Sequence, residues 1–555
     1  MATFWRPEPE MRDTLREAVS GILADQREDG RFGTAPWTCL DQHRIFHLAA
    51  AWSLENSPWF HNDEVLAAIV RGGDALIDAQ DNEGMWTFLK KDYSEWGQIY
   101  MPWTYSRWIR AYMLARSGMD GEARARWDAA LELGFEGISK TCLSHVHNIP
   151  THHAMSLYCA GMVFEREDWK TRAEEFIHEV VAAQSPYGWW TENVGPVVSY
   201  NYVYSDAMGV YYKLSGDGRV IEALDRAARF HRNYTYPDGS AVETVDERNA
   251  YNSEVRPGNP GFSHTATGRG YLARQHRLFL EAGGKFDVDY AAHMLLYAGD
   301  GEIEEMEADG DGRTYAMGDD ALIVSRKPWF LSLSAYCCPL DENRFRQDRQ
   351  NFVSVFHEST GLIVGGGNTK LQPQWSTFSV GDTSLMRHTP GDADPDFGPF
   401  EGLAHIPDRA EIRADEACPG IDLHYGADVG RVTLVPRGDS QLLLILESSG
   451  ISESGMEAHV TLIPHLREAL RSSTGERAEL QTDVVEWTGA DGAWLEHAGW
   501  RLSLPAGARL VWPALPHNAY TKGGEAGVGQ ARLVLALPFG EDRSRYELSL
   551  DILQE

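Results

Sequence analysis

Through the first half of the chain, polar and apolar positions alternate with a helical period. The stretches "MRDTLREAVSGILADQ", "DQHRIFHLAAAWSLEN", "NDEVLAAIVRGGDALIDAQ", "WKTRAEEFIHEVVAAQ" and "DGRVIEALDRAARFHRNY" put apolar residues at i, i+3, i+4 and i+7 and predict amphipathic helices. Three turns closing such helices read alike: "ADQREDGRF" around Gln26, "DAQDNEGMW" around Gln80 and "AAQSPYGWW" around Gln184. In each, Gly follows Gln by four residues, as a left-handed cap requires, and an aromatic residue stands one or two beyond. The glutamines lie 54 and 104 residues apart, and a weaker copy, "TYPDGSAV" with Gly239, comes 51 after Gly188. A unit of about 52 residues holds two helices and two loops, so residues 1–288 read as five to six helical hairpins. The "GMW" and "GWW" turns favour closure into an (α/α) toroid, where aromatic loop residues would line a common mouth.

The texture then changes. Residues 289–315, including the acidic "GDGEIEEMEADGDGRTY", read as a linker. That stretch lacks the closing Glu of an EF-hand loop, which leaves room for a structural divalent ion but requires none. From 316 to 555 come short runs rich in Val, Ile, Leu and Thr ("ALIVSR", "PWFLSLSAY", "RVTLVPR", "QLLLILES", "ARLVLALP", "YELSLDIL"). They predict a large antiparallel β-sandwich, giving an α+β multidomain fold.

Composition narrows the function. The 555 residues are 43% hydrophobic with a net charge of −32, which fits a folded protein and speaks against nucleic-acid partners. The six cysteines show no metal or disulfide spacing. No signal peptide or 18-residue apolar run is visible, so no membrane partner is expected. The expected location is cytoplasmic, or periplasmic if a leader has been removed. The oligomeric state stays open, a homodimer among the options.

Candidate chemistry gathers on predicted inter-helix loops. "SHVHNIPTHHAM" holds His145, His147, Asn148, His152 and His153 at a helix start where Thr151 can cap. Without HExxH or nearby acidic residues it does not read as a zinc site. His145 reads as structural. "GWWTENVGPVVSYNYVYSDAMGVYY" adds Trp189, Trp190, Glu192, Tyr200, Tyr202 and Tyr204, the tyrosines facing one way on a strand or straddling a helix start. "TYPDGSAVETVDERNAYNSE" brings Glu243, Asp246, Glu247, Arg248 and Tyr251, and "GFSHTATGRGY" brings His264. In the later half, "GLIVGGGNTKLQPQWSTF" has Gly365 to Gly367 followed by Asn368, Lys370, Gln372 and Gln374. That set reads either as a bulged turn or as polar groups reaching toward a sugar.

In this order the stretches resemble the heparinase II/III-like and alginate-lyase-like polysaccharide lyases. Those pair an (α/α) toroid with a β-sandwich and carry an Asn-led helix, then a Tyr slightly over fifty residues on, then a "DG…P…gD" stretch. Tyr200 and Tyr202 lie 52 and 54 residues after Asn148. Two departures stand out: Val242 or Glu243 replaces the usual Pro, and three tyrosines compete for one role. The resemblance implies β-elimination of a uronate-containing poly- or oligosaccharide without a cofactor. In that chemistry Asn148 would hydrogen-bond the uronate carboxylate, with Arg248 or His147 assisting. Tyr202 or Tyr200 would be the acid and also serve as base, with His153 or His264 as partner. Trp189 and Trp190 would stack the sugar, and Glu192, Tyr204, Asp246, Tyr251 and Gln372 would complete the substrate-binding set. Two alternatives remain: a toroidal glycoside hydrolase pairing carboxylates among Glu192, Asp206, Glu243, Asp246 and Glu247, and a non-catalytic glycan-binding protein.

Overall fold

The computed structural model describes residues 4–6, 9–33, 40–89, 95–304, 312–389, 391–449, 455–521 and 523–553. It divides into two compact units, and the division crosses the chain several times. The first comprises Met1–Glu192, Ser199–Arg232 and Arg256–Met306, and the second Asn193–Val198, Asn233–Val255 and Glu307–Glu555.

The first unit holds eleven α-helices among the described residues: α1 (Pro9–Asp25), α2 (Arg44–Ser53), α3 (Asp63–Ala79), α4 (Pro102–Ala115), α5 (Gly121–Thr141), α6 (Asn148–Val163), α7 (Glu167–Ala182), α8 (Val198–Ser215), α9 (Ile221–Asn233), α10 (Ala266–Glu281) and α11 (Val288–Tyr297). Local chemistry sets several starts. Asn62, Asp120, Thr265 and Asp287 accept backbone N–H bonds as N-caps, and Pro102 opens α4, where its missing N–H costs nothing. Helices α2, α4 and α6 pack in succession, and α11 packs back on α1 and α2, so the ring closes as the predicted toroid. Helix α11 occupies the start of the stretch read as a linker; residues 305–311 of that stretch lie outside the described residues.

The repeated turn has a definite construction. Gly30, Gly84, Gly188 and Gly239 sit at φ of 79°, 88°, 94° and 91°, a region a side chain disfavours. Gln26, Gln80 and Gln184 donate through Nε2 to carbonyls of Ala68 (2.8 Å), Ala130 (3.2 Å) and Ala223 (2.9 Å), tying each turn to a later helix. The aromatic residues do not line a mouth. Trp86 and Trp190 are buried, their indoles donating to the carbonyls of Leu76 (3.0 Å) and Val180 (2.8 Å), which satisfies the N–H while the ring fills the core.

The second unit is a sandwich of antiparallel strands: an eleven-stranded sheet, whose centre includes Trp329–Ser334, Val353–His357 and Met456–Leu462, and a nine-stranded sheet, whose centre includes Asp428–Pro436 and Gln441–Ser449. Along Asp428–Pro436 burial alternates residue by residue, as one buried face demands. One core draws Leu331, Leu333 and Leu462 from the first sheet and Ile421, Leu434 and Leu444 from the second. Two segments from the helical half of the sequence, 193–198 and 233–255, belong to this unit because buried carboxylates tie them down. Glu247 accepts from the backbone N–H groups of Asn193, Val194 and Gly195, Asp246 accepts from that of Val198, and Arg349 donates to the carbonyls of Thr244 and Asp246.

Candidate active site

Helix α6 begins with a grip on a carboxylate. His147 is the extended residue before the helix and Asn148 its first residue. Asn148 Nδ2 donates to both oxygens of Glu192, 3.0 Å from each, and lies 3.1 Å from His147 Nδ1. His147 Nε2 is 2.9 Å from Glu192 Oε1, and the Glu192 side chain is 5% exposed. A neutral amide and an imidazole thus satisfy a carboxylate withdrawn from water.

One turn further along α6 is His152, and the same spacing on α8 separates Tyr202 from Asp206. His152 Nε2 lies 3.7 Å from Asp206 Oδ2, and His293 Nδ1 of α11 lies 3.4 Å from Asp206 Oδ1. These residues line a cavity of about 430 Å³ inside the first unit, together with His43, Trp103, Arg107, Asp289 and the 256–260 loop. Asn259 fixes that loop to α8, donating to the Tyr202 carbonyl (2.9 Å) and Ser205 Oγ (3.0 Å).

The cavity mixes fixed charges with neutral imidazoles. Burial pushes His152 down to about 3 and lowers His43 and His293, so all three are uncharged at neutral pH. Burial would raise Asp206, but His293, His152 and Arg110 outweigh it and bring its carboxyl to about 2. Asp289 likewise falls well below the usual range against its own burial, held by Arg107 at 2.8 and 2.5 Å and by His47 at 2.9 Å. Burial and then the neighbouring Tyr271 hydroxyl raise Tyr202 well above 10, with Arg256 opposing. The Tyr202 hydroxyl is hydrogen-bonded to that of Tyr271. Arg256 lines the cavity and has no carboxylate ion pair among the described residues.

The expected site residues therefore separate. Asn148, His147 and Glu192 form one group, and Tyr202 lines the cavity one turn from the His152–Asp206 contact. His153 is buried in the core, where desolvation takes it to about 3. His264 turns its Nε2 to the Gly209 carbonyl at 3.1 Å, outside the cavity lining. Because Tyr200, Tyr202 and Tyr204 ride a helix, Tyr202 points away from the face that Tyr200 and Tyr204 share: Tyr204 is buried and stacks on Trp190 with ring centres 4.8 Å apart, and Tyr200 is half-buried outside the cavity lining. Trp189 and Trp190, at 8% and 3% exposure, offer no face for a sugar. Asp246 is spent on backbone donors, Tyr251 donates its backbone N–H to the Gly366 carbonyl at 3.1 Å, and Arg248 belongs to the second unit beside Tyr520. Gln372 donates to the Leu515 carbonyl (3.0 Å) and caps Gln374, Asn368 accepts from the backbone of Gln350 and Asn351, and Lys370 is buried against Asp348 at 3.0 Å. That polar set is internal to the sandwich.

The sequence reading passed over His43, Arg107, Arg256, Asn259, Asp289 and His293. "RPGNPG" around Arg256 was the available signal, a glycine- and proline-rich loop opening on an arginine before a helix. Glu174, His178 and Asp217 bring ligand-type atoms within 4.8 Å of one another. Arg219 pairs with both carboxylates and Tyr211 donates to Asp217, so this is a satisfied ion network, not an open coordination sphere.

No family model and no curated protein matches the chain. Among solved structures, a Paenibacillus xanthan lyase aligns over 100% of this chain and 58% of its own, with TM-score 0.56 and 11% identity. A chondroitinase AC lyase gives TM-score 0.56 at 11% identity, covering 99% of this chain and 81% of that one. Heparinase III gives TM-score 0.56 at 12% identity, covering 98% and 85%. The chain spans little more than half the xanthan lyase. At such identities the likeness is one of fold: the protein has the helical-toroid and β-sandwich fold of these polysaccharide lyases.

Proposed function

We propose that the protein is a lyase cleaving a uronate-containing poly- or oligosaccharide by β-elimination. The observation that carries the reading is the Asn148–His147 pair closed on a carboxylate, one helical turn from a cavity lined by Tyr202, Arg256 and neutral imidazoles. Glu192 now fills the place where these donors would hold a uronate carboxylate, so substrate binding there requires Glu192 to turn away. Uncharged donors and a guanidinium stabilise the extra negative charge that builds on the substrate carboxylate as the neighbouring carbon loses its proton.

The base takes that proton, the C4–O4 bond breaks as a C4=C5 double bond forms, and the leaving oxygen takes a proton from an acid. Tyr202, kept protonated by burial, is the acid. The base is an imidazole of the cavity; His152 is neutral and its Nδ1 has no partner among the described residues. A bound anionic sugar raises its basicity toward the useful range. The xanthan, chondroitin and heparin lyases of the same fold are named for acidic polysaccharides, which supports the substrate class.

The paired-carboxylate hydrolase is disfavoured because its carboxylates are committed. Asp206 and Asp289 are held ionised and so do not serve as its general acid, while Glu243, Asp246 and Glu247 accept from the chain's own donors and Glu192 accepts from Asn148. The test is a panel of uronate oligosaccharides read by the ultraviolet band of a 4,5-unsaturated uronide. A rise abolished by Asn148→Ala and by Tyr202→Phe is expected. New reducing ends without any rise would overturn elimination.

A further inference from the structure

The cavity that holds Tyr202 has a charge balance that limits what it can take. Its charged lining residues are two guanidiniums, Arg107 and Arg256, and three carboxylates, Asp206, Asp287 and Asp289. Arg107 is closed on Asp289 through Nε (2.8 Å) and Nη2 (2.5 Å). Asp287 caps α11, accepting from the Tyr290 backbone N–H at 2.7 Å. The imidazoles of the lining add no positive charge, because burial keeps them neutral. Arg256 is therefore the one lining guanidinium without a carboxylate among the described residues, which provides for a single anionic group.

Asp206 sharpens the limit. Neither of its oxygens has a hydrogen bond of ordinary length among the described residues: Oδ1 lies 3.4 Å from His293 Nδ1, and Oδ2 lies 3.7 Å from His152 Nε2. Arg110, which helps to keep it ionised, stands outside the lining, spent on Ser106 and on the Phe46 ring face at 4.6 Å. The Asp206 side chain is 16% exposed while Oδ1 is shut off from solvent, so Oδ2 is the oxygen that faces the cavity. An ionised carboxylate oxygen accepts and cannot donate. A sugar hydroxyl supplies the proton it needs, whereas a sulfate ester has no proton to give and sets a second negative charge against it.

We propose that the cavity selects an unsulfated uronate glycan, with Asp206 accepting from a free hydroxyl of the sugar residue it encloses. The substrate is then an acidic saccharide whose anions are carboxylates alone, one for the free guanidinium. The selection rests on the acidic-glycan reading above for its ligand class, and it acts in binding, before any bond is broken.

The test uses the full chain carrying Tyr202→Phe, so that no probe is consumed, and measures binding by titration calorimetry. The probes are tetrasaccharides paired by backbone: chondroitin against chondroitin sulfate, heparosan against heparan sulfate, and alginate against chemically sulfated alginate. Salt at about 0.5 M screens the long-range repulsion of a chain of net charge −32, which would otherwise disfavour every sulfated probe. Within the best-bound pair the unsulfated member is expected to bind about a hundredfold tighter. Asp206→Asn keeps an acceptor oxygen but removes the charge, and is expected to narrow that ratio about tenfold. The ratio with Asp206 in place decides the matter even if the Asn variant fails to fold. Equal or tighter binding of the sulfated member, binding of neither member in all three pairs, or an unchanged ratio in folded Asp206→Asn would overturn the selection. Elimination is read separately on the chain with Tyr202 intact. An ultraviolet rise on sulfated and unsulfated members alike would refute the selection and keep the lyase; discrimination in binding without any rise would refute elimination and leave the selection standing.

Discussion

Acid should loosen the helical unit well before its carboxylates titrate. His152, His153 and His231 are buried, and desolvation brings each from an ordinary 6.5 to about 3. The sign follows from proton counting. Below 6.5 the unfolded chain takes up protons that the folded chain refuses until about pH 3, so stability falls as pH drops through that window. Going from pH 7 to pH 5 costs about 2 kcal/mol per imidazole, or about 6 kcal/mol for the three. Asp206, at about 2, keeps its contribution until the pH falls below the ordinary carboxylate range, so it does not mask the effect. For a unit of this size the loss lowers Tm by roughly 10 °C. Calorimetry across that range reads it directly, with His153→Leu as the single-site control. That variant should remove one imidazole's share of the loss, about 2 kcal/mol between pH 7 and pH 5, because Leu supplies no protonatable group in either state. An unchanged Tm between the two pH values, or an unaltered slope in His153→Leu, would refute the claim that these rings are buried neutral.

Two substitutions probe the site and its frame. Arg256→Ala should cut kcat/KM for elimination by about a hundredfold while Arg256→Lys recovers only part, since a point charge replaces a fork; steady-state kinetics on the substrate found by the ultraviolet assay decides it, and wild-type kinetics in the Ala variant would remove Arg256 from the site. Gly188→Ala should destabilise the first unit by about 2–4 kcal/mol, because a side chain is disfavoured at that φ and the added Cβ would fall 2.0 Å from the Arg226 carbonyl oxygen; a Tm within a degree or so of wild type would show that the turn relaxes freely.

The repeat was legible because its cause is local. A Gly four residues after Gln marks a backbone that must enter the left-handed region, and that requirement survives divergence of everything around it. The strands were legible for the same reason, through alternation along single segments such as Asp428–Pro436. The division between units was not. Segments 193–198 and 233–255 join the sandwich through Glu247, Asp246 and Arg349, contacts between residues up to about a hundred positions apart that leave no mark on local periodicity.

The site divides along the same line. Asn148 and Tyr202 could be picked out because each sits in a short stretch dense in reactive side chains. What they work with could not, since burial and charge are properties of the assembled ring. Once α6 and α8 are known to be helices, the period does the sorting: Asn148 and His152 share one face, Tyr202 and Asp206 share another, and the His152–Asp206 contact joins the two faces. That register turns Tyr204 into the core and leaves Tyr202 on the cavity, which is why Tyr202 is the one proposed from the three tyrosines in a row. It also explains why histidines that look interchangeable in the sequence differ in chemistry. His153, one residue and about a hundred degrees round from His152, is buried outside the cavity lining, whereas His152 lines the cavity.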